Sequence, residues 1–163
     1  MPRILIICTG NICRSPAAQT LLAHQLTQVG LGDWVVESAG TWALDGRPAT
    51  PYMVDLMAER GLDLTTHRAR SVNRRWIEQA DLVLVMTHSH AEALRLEFPD
   101  QADKIHLLSA MESGQHYDIT DPYGGALADY RACVTQLASL VEQGWERIVA
   151  LAGENAVKRK RGV

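Results

Sequence analysis

Cys8 and Arg14 frame the segment Cys8-Thr9-Gly10-Asn11-Ile12-Cys13-Arg14-Ser15-Pro16, which directly follows the apolar run Ile4-Leu5-Ile6-Ile7. A thiol and a guanidinium at this spacing suit one kind of chemistry, the capture of a tetrahedral oxyanion beside a nucleophile. The apolar run reads as a short buried strand, and Ser15-Pro16 as the N-cap and first position of a helix. The loop between them then opens at a helix N-terminus, where amides lack intrahelical partners and the helix dipole adds partial positive charge. The predicted phosphate-binding set is Thr9, Gly10, Asn11, Ile12, Cys13, Arg14 and Ser15. Inward amides would hold the oxygens, and Arg14 would add a planar two-pronged grip. The same field favours a thiolate over a thiol at position 8, so anion binding and activation of the nucleophile share one cause.

The bare spacing of a cysteine and an arginine is common, and its context gives it weight. Gly10 stands where the backbone must curl, Asn11 tolerates the left-handed conformation that would brace the curl, and the loop is flanked by strand and helix signals. The competing reading of Cys8 is a small buried residue at a strand end, the commoner fate of a lone cysteine. Cys13 lies five positions on in a tightly curled loop, so a reversible Cys8–Cys13 disulfide shielding the nucleophile from overoxidation is one expectation, and packing beneath the loop is the other. Cys133 falls on a helix and reads as core.

Together with Asp121-Pro122-Tyr123 far downstream, the Cys8–Pro16 segment resembles the low molecular weight protein tyrosine phosphatases. Ser38-Ala39-Gly40-Thr41, His67-Arg68-Ala69-Arg70 and Asp81-Leu82-Val83-Leu84-Val85-Met86 look like further landmarks of that family, so the resemblance covers most of the chain. It implies a cysteine-dependent phosphatase that hydrolyses phosphotyrosine in proteins through a phosphocysteine intermediate, with no metal and no organic cofactor. By the same resemblance Asp121 is the general acid for the leaving phenolate, and Ser15 donates to the sulfur. Asn11, Ser38 and His67 match loop-bracing positions, while Trp42 and Tyr123, with Ile12, match the walls flanking the substrate ring. Read without the family, Asp121 is an ordinary turn or cap carboxylate, Ser15 a helix cap, Ser38 and His67 polar core residues, and Trp42 a packing residue.

The elements that must position these residues alternate between strand and helix signals over 163 residues, of which 47% are hydrophobic. That pattern predicts one α/β domain over 1–163, a three-layer fold whose four-stranded parallel twisted sheet carries helices on both faces. The first helix is expected from Ser15 to about Val29, with Ala18, Leu21, Leu22, Leu26 and Val29 on its apolar face and Gly30 closing it. Val35 and Val36 mark a second strand, Thr50-Pro51 opens a helix ending near Gly61, and Leu82 to Met86 give a third strand. Ser89 and Glu92 read as a capping box, Pro99 as a stop, and Ile105 to Leu108 as a fourth strand. A last helix carries Leu127, Tyr130, Val134, Leu137 and Val141 on one side, and 154–163 is read as a basic, partly disordered tail. Ligands of such sheets bind beyond the carboxyl ends of the strands, where Cys8 falls.

A net charge of −3 argues against a general nucleic-acid or membrane-surface binder, and no apolar run is long enough to cross a bilayer. Met1-Pro2-Arg3 leads straight into the first strand without a secretory apolar region, and three cysteines suit a reducing compartment, so a cytoplasmic protein is expected. The expected partner is a phosphorylated protein, with a monomer favoured. His88 and His90 have no further metal-like cluster nearby and read as capping or solvent-exposed residues. Three rival functions stand beside the first. The bacterial branch of the family includes protein arginine phosphatases, which the resemblance expects to carry threonine where this chain has Ile12. Arsenate reduction needs resolving cysteines, and only Cys133 lies downstream. An inactive phosphoprotein-binding module would have no use for Cys8, Arg14 and Asp121 together.

Overall fold

The computed structural model describes residues 1–162, and the strands fall where buried apolar runs predict them. β1 (Arg3–Cys8), β2 (Val35–Gly40), β3 (Leu82–Val85) and β4 (Ile105–Leu107) form one parallel sheet in the order β2-β1-β3-β4. Continuous apolar sequence in β1 and β3 fits burial on both faces. The order reverses at β1. Right-handed crossovers therefore put α1 (Arg14–Gln28) on one face, and α3 (Arg74–Gln79) and α4 (His88–Glu97) on the other. α2 (Pro51–Glu59) and the long α5 (Leu127–Arg161) join α1, and α5 packs along α1. The reversal leaves a crevice at the carboxyl end of β1, and Cys8 is the last residue of that strand.

Several expected boundaries move. α1 begins at Arg14 with Cys13 at its N-cap, so Ser15 is not the cap and Pro16 is not the first helical residue. The Ser15 side chain is directed instead into the loop, as described below. Leu21, Leu22 and Leu26 are buried, but Val29 lies past the helix end and is exposed. Gly30 does close the helix, at φ +80°, in the left-handed region that a side chain would resist. Ser89 and Glu92 form no capping box. The cap is Thr87, whose extended backbone (φ −138°) turns its hydroxyl toward the His90 amide at 3.2 Å. After Pro99 the chain makes a 3-10 segment, Pro99–Lys104, before β4.

The largest correction concerns 154–163. Residues 154–161 are not a disordered tail but the last turns of α5, capped by Gly162 at φ +70°; Val163 lies outside the described residues. Asp81 explains the order. Its buried carboxylate accepts from the Arg159 Nε (2.8 Å) and Nη2 (3.1 Å) and from the Arg3 amide (2.8 Å), and Asn155 donates to the Asp81 carbonyl (2.9 Å). Of the charges that read as solvated, Arg159 is thus paired at the amino end of β3. Farther back, Gly144 lets α5 cross the Leu108–Met111 segment, since a Cβ there would stand 2.9 Å from that of Met111. Leu127, at the start of α5, is exposed rather than core. Asp81→Ala should lower stability by about 2 kcal/mol, the scale of lost charge-assisted hydrogen bonds discounted for the half-exposed Arg159, and is read as a lower urea midpoint at unchanged slope.

Candidate active site

From Cys8 the chain curls back on itself through Asn11, the single non-glycine residue with positive φ (57°) among those described. The curl is held from inside by side chains. The Asn11 amide nitrogen donates to Ser15 Oγ (2.8 Å) and Ser38 Oγ (2.9 Å), and its Oδ1 accepts from the Arg70 amide (3.0 Å). His67 Nε2 donates to the Asn11 carbonyl at 2.6 Å, and burial lowers the ring's pKa. Ser38 passes its own proton to Gln19 Oε1 at 2.6 Å. Backbone contacts complete the frame: Thr41 N donates to Cys8 O (2.9 Å), Trp42 N to Thr9 O (3.0 Å), and Thr50 N to Ile12 O (2.9 Å). Gly40 is required by close approach, because a Cβ there would sit 2.3 Å from the Thr9 carbonyl.

This frame fixes the direction of one further bond. Ser15 Oγ lies 2.9 Å from Cys8 Sγ and already accepts from Asn11, so its own proton is aimed at the sulfur. The Cys8 sulfur is placed to accept it. The amides of residues 9–13 donate to no other group among those described, as an anion cradle requires.

Arg14 is 4% exposed and closes the cradle. Its Nη1 donates to the Ile119 carbonyl (2.8 Å), its Nη2 meets Asp121 Oδ2 at 3.3 Å, and its buried Nε has no partner among the described residues. Nε and Nη2 share one edge of the guanidinium, the edge that grips two oxygens of one anion. Asp121, 44% exposed, sits in a turn whose carboxylate accepts from the Tyr123 amide at 3.1 Å. Cys8, Ile12, Trp42, Arg47, Asp121 and Tyr123 line one cavity of about 220 Å³. Trp42 and Tyr123 are 80% and 61% exposed, so both stand at its mouth rather than in the core. A wider open groove lies behind the Asp121 turn along α5, and it contains neither Cys8 nor Arg14.

All the predicted site residues therefore converge on this loop or its pocket. Cys13 lies buried beneath the loop, near Thr50 Oγ1 (3.5 Å) and the Tyr130 hydroxyl (3.9 Å), with its pKa raised chiefly by burial. All three thiols are free, and burial pushes Cys133 up to about 12. Sequence reasoning missed Gln19 and Arg70, whose contacts are long-range, and it misplaced His90. That residue is neither a cap nor exposed; its ring reaches Thr9 Oγ1 at 2.8 Å. Among the described residues no cluster of three or more metal-ligating side chains occurs, and no helix is long and apolar enough to cross a membrane.

Residues 3–158 match the family model described as low molecular weight phosphotyrosine protein phosphatase. The chain belongs to that family. It is 37% identical to a probable low molecular weight protein-tyrosine-phosphatase, EpsP, of Ralstonia nicotianae, over 91% of this chain and 97% of the relative. It is 36% identical to a protein-arginine-phosphatase of Bacillus subtilis, over 86% and 92%. Among solved structures, a mutant of Bacillus subtilis YwlE superposes with a TM-score of 0.86 at 33% identity, covering 91% of this chain and 99% of that one. Family members of both named specificities thus stand at similar distance, and the overall likeness does not separate them.

Proposed function

We propose that this phosphatase removes phosphate from phosphotyrosine in proteins through a phosphocysteine intermediate. The observation that carries the reading is one pocket lined by Cys8, Asp121 and the apolar and aromatic side chains of Ile12, Trp42 and Tyr123, with Arg14 paired to that aspartate. Cys8 sulfur attacks phosphorus in line with the aryl oxygen; the S–P bond forms as the P–O bond breaks, and Asp121 gives its proton to the departing phenolate. The loop amides and the Nε–Nη2 edge of Arg14 hold the three equatorial oxygens. Water, deprotonated by the same carboxylate, then attacks phosphorus and releases phosphate and the thiolate, which the Ser15 hydroxyl stabilises. No step requires a metal or an organic cofactor. The substrate is a phosphoprotein, and the three free cysteines support a reducing, cytoplasmic setting.

Phosphoarginine is the second reading, favoured by the arginine-phosphatase relatives. Ile12 stands against it. A branched apolar wall gains by burying an aromatic ring but leaves a guanidinium's N–H groups unpaired. Wild-type enzyme should turn over phosphotyrosine peptides at least about tenfold faster than phosphoarginine peptides in kcat/KM, and Ile12→Thr should narrow that ratio from both sides. A wild-type preference for phosphoarginine reverses the assignment. Arsenate reduction finds no support in Cys133, a buried thiol whose raised pKa keeps it protonated.

A further inference from the structure

His88 and His90, which the catalytic scheme leaves unused, stand two residues apart in the first turn of α4 and reach in two directions. His90 points inward. It is 6% exposed, its Nε2 lies 2.8 Å from Thr9 Oγ1, and its buried Nδ1 has no partner. A neutral ring carries one N–H, and a buried N–H without an acceptor is rarer and costlier than a bare lone pair. The proton therefore sits on Nε2, and His90 donates to Thr9. Burial, reinforced by the nearby charge of Arg14, lowers the ring's pKa to about 4, which keeps it neutral at physiological pH. Thr9 is then gripped from two sides, by His90 at its hydroxyl and by the Trp42 amide at its carbonyl.

His88 faces the other way. Asp118 Oδ1 accepts from both the His88 amide and its Nδ1, each at 2.8 Å. The next residue, Ile119, donates its amide to the Met86 carbonyl (3.0 Å) and accepts from Arg14, and Asp121 follows two residues later. One rigid helical turn, seated at the end of the fully buried β3, therefore touches the segment that carries the nucleophile and the segment that carries the acid.

We propose that His88 and His90 are positioning residues, a brace that sets the separation between the phosphate loop and the acid turn through Thr9 and Asp118. The inference rests on the assignment of Cys8 as nucleophile and Asp121 as acid, and its two arms have different kinetic signatures. Loosening the acid arm slows the transfer of phosphate to Cys8 only when the leaving group needs a proton; loosening the loop arm slows that transfer for every substrate.

The test compares 4-nitrophenyl phosphate, a good leaving group, with phenyl phosphate, a poor one. Asp118→Ala should lower kcat/KM, which reports the first transfer, about tenfold on phenyl phosphate and leave it within about twofold on 4-nitrophenyl phosphate. His90→Leu should lower kcat/KM about tenfold on both substrates, and His90→Gln, whose amide nitrogen can take the place of Nε2, should recover to within about threefold of wild type. Thr9→Val should match His90→Leu, and the double variant should fall no further, because both remove one bond. Additive losses in that pair, or equal effects of Asp118→Ala on the two substrates, overturn the brace. Asp121→Asn run alongside separates the levels: if it fails to discriminate the two substrates, the acid assignment is at fault, and if it discriminates while Asp118→Ala does not, the brace alone falls.

Discussion

Cys8→Ser should abolish turnover of aryl phosphates by about 10⁴-fold or more while leaving the oxyanion cradle intact. The proposed nucleophile is removed, and a serine hydroxyl in its place holds its proton far more tightly than a thiol does. The nearby Asp121 carboxylate is paired with Arg14. The cradle depends on other contacts: the left-handed Asn11 with its bonds to Ser15, Ser38 and Arg70, the His67 bond to the Asn11 carbonyl, and the buried Arg14. None of these involves the sulfur. Steady-state hydrolysis of 4-nitrophenyl phosphate reads the loss, and phosphate titration followed by calorimetry reads the retained binding. Appreciable turnover by the serine variant would remove the phosphocysteine from the mechanism, and failure to bind phosphate would show that sulfur, rather than the polar frame, organises the loop.

The legible part of this structure is the part whose signal is local. Ile4-Leu5-Ile6-Ile7 and Leu82-Val83-Leu84-Val85 are continuous apolar runs too short for helices, and both are strands buried on two faces. Gly10 and Asn11 announce a curl within a few residues of chain, and the curl is there. What escaped the sequence depends on distant partners. Lys158-Arg159-Lys160-Arg161 has the composition of a frayed end, yet Asp81, 78 positions away from Arg159, supplies the buried countercharge that orders this turn. Ser15 has the profile of a cap because serine usually satisfies the amides ahead of it; here Asn11 and Cys8 compete for the hydroxyl and win.

His90 shows the same limit at the site itself. A histidine two residues past another, near a helix start, carries no local hint that its ring will be buried against Thr9, 81 positions away. Parallel strand order decides that contact, since β3 lies beside β1 and delivers the start of α4 to the mouth of the phosphate loop. Asp121 reaches Arg14 by an equally long route, through a chain segment pinned at Ile119. A family resemblance can name that aspartate from its motif, but only the fold brings it to the pocket.

Asp121→Asn should lower kcat/KM on phenyl phosphate or phosphotyrosine by about 10²–10³-fold and that on 4-nitrophenyl phosphate much less. The substitution preserves shape, and an asparagine oxygen can still accept from Arg14 Nη2, so the variant loses a transferable proton more than a contact. Phenolate, the conjugate base of an acid with pKa about 10, leaves poorly without that proton, whereas a nitrophenolate spreads its charge and departs unaided. The ligand-free geometry suggests how the proton becomes available. Asp121 rests on Arg14, and an incoming dianion competes for the same Nη2 and for the unpartnered Nε on that edge. Binding thus draws Arg14 off Asp121, whose carboxyl can then turn to the departing oxygen. The comparison of the two substrates checks this directly. If both substrates slow equally, the group is a structural partner of Arg14 and the proton comes from elsewhere.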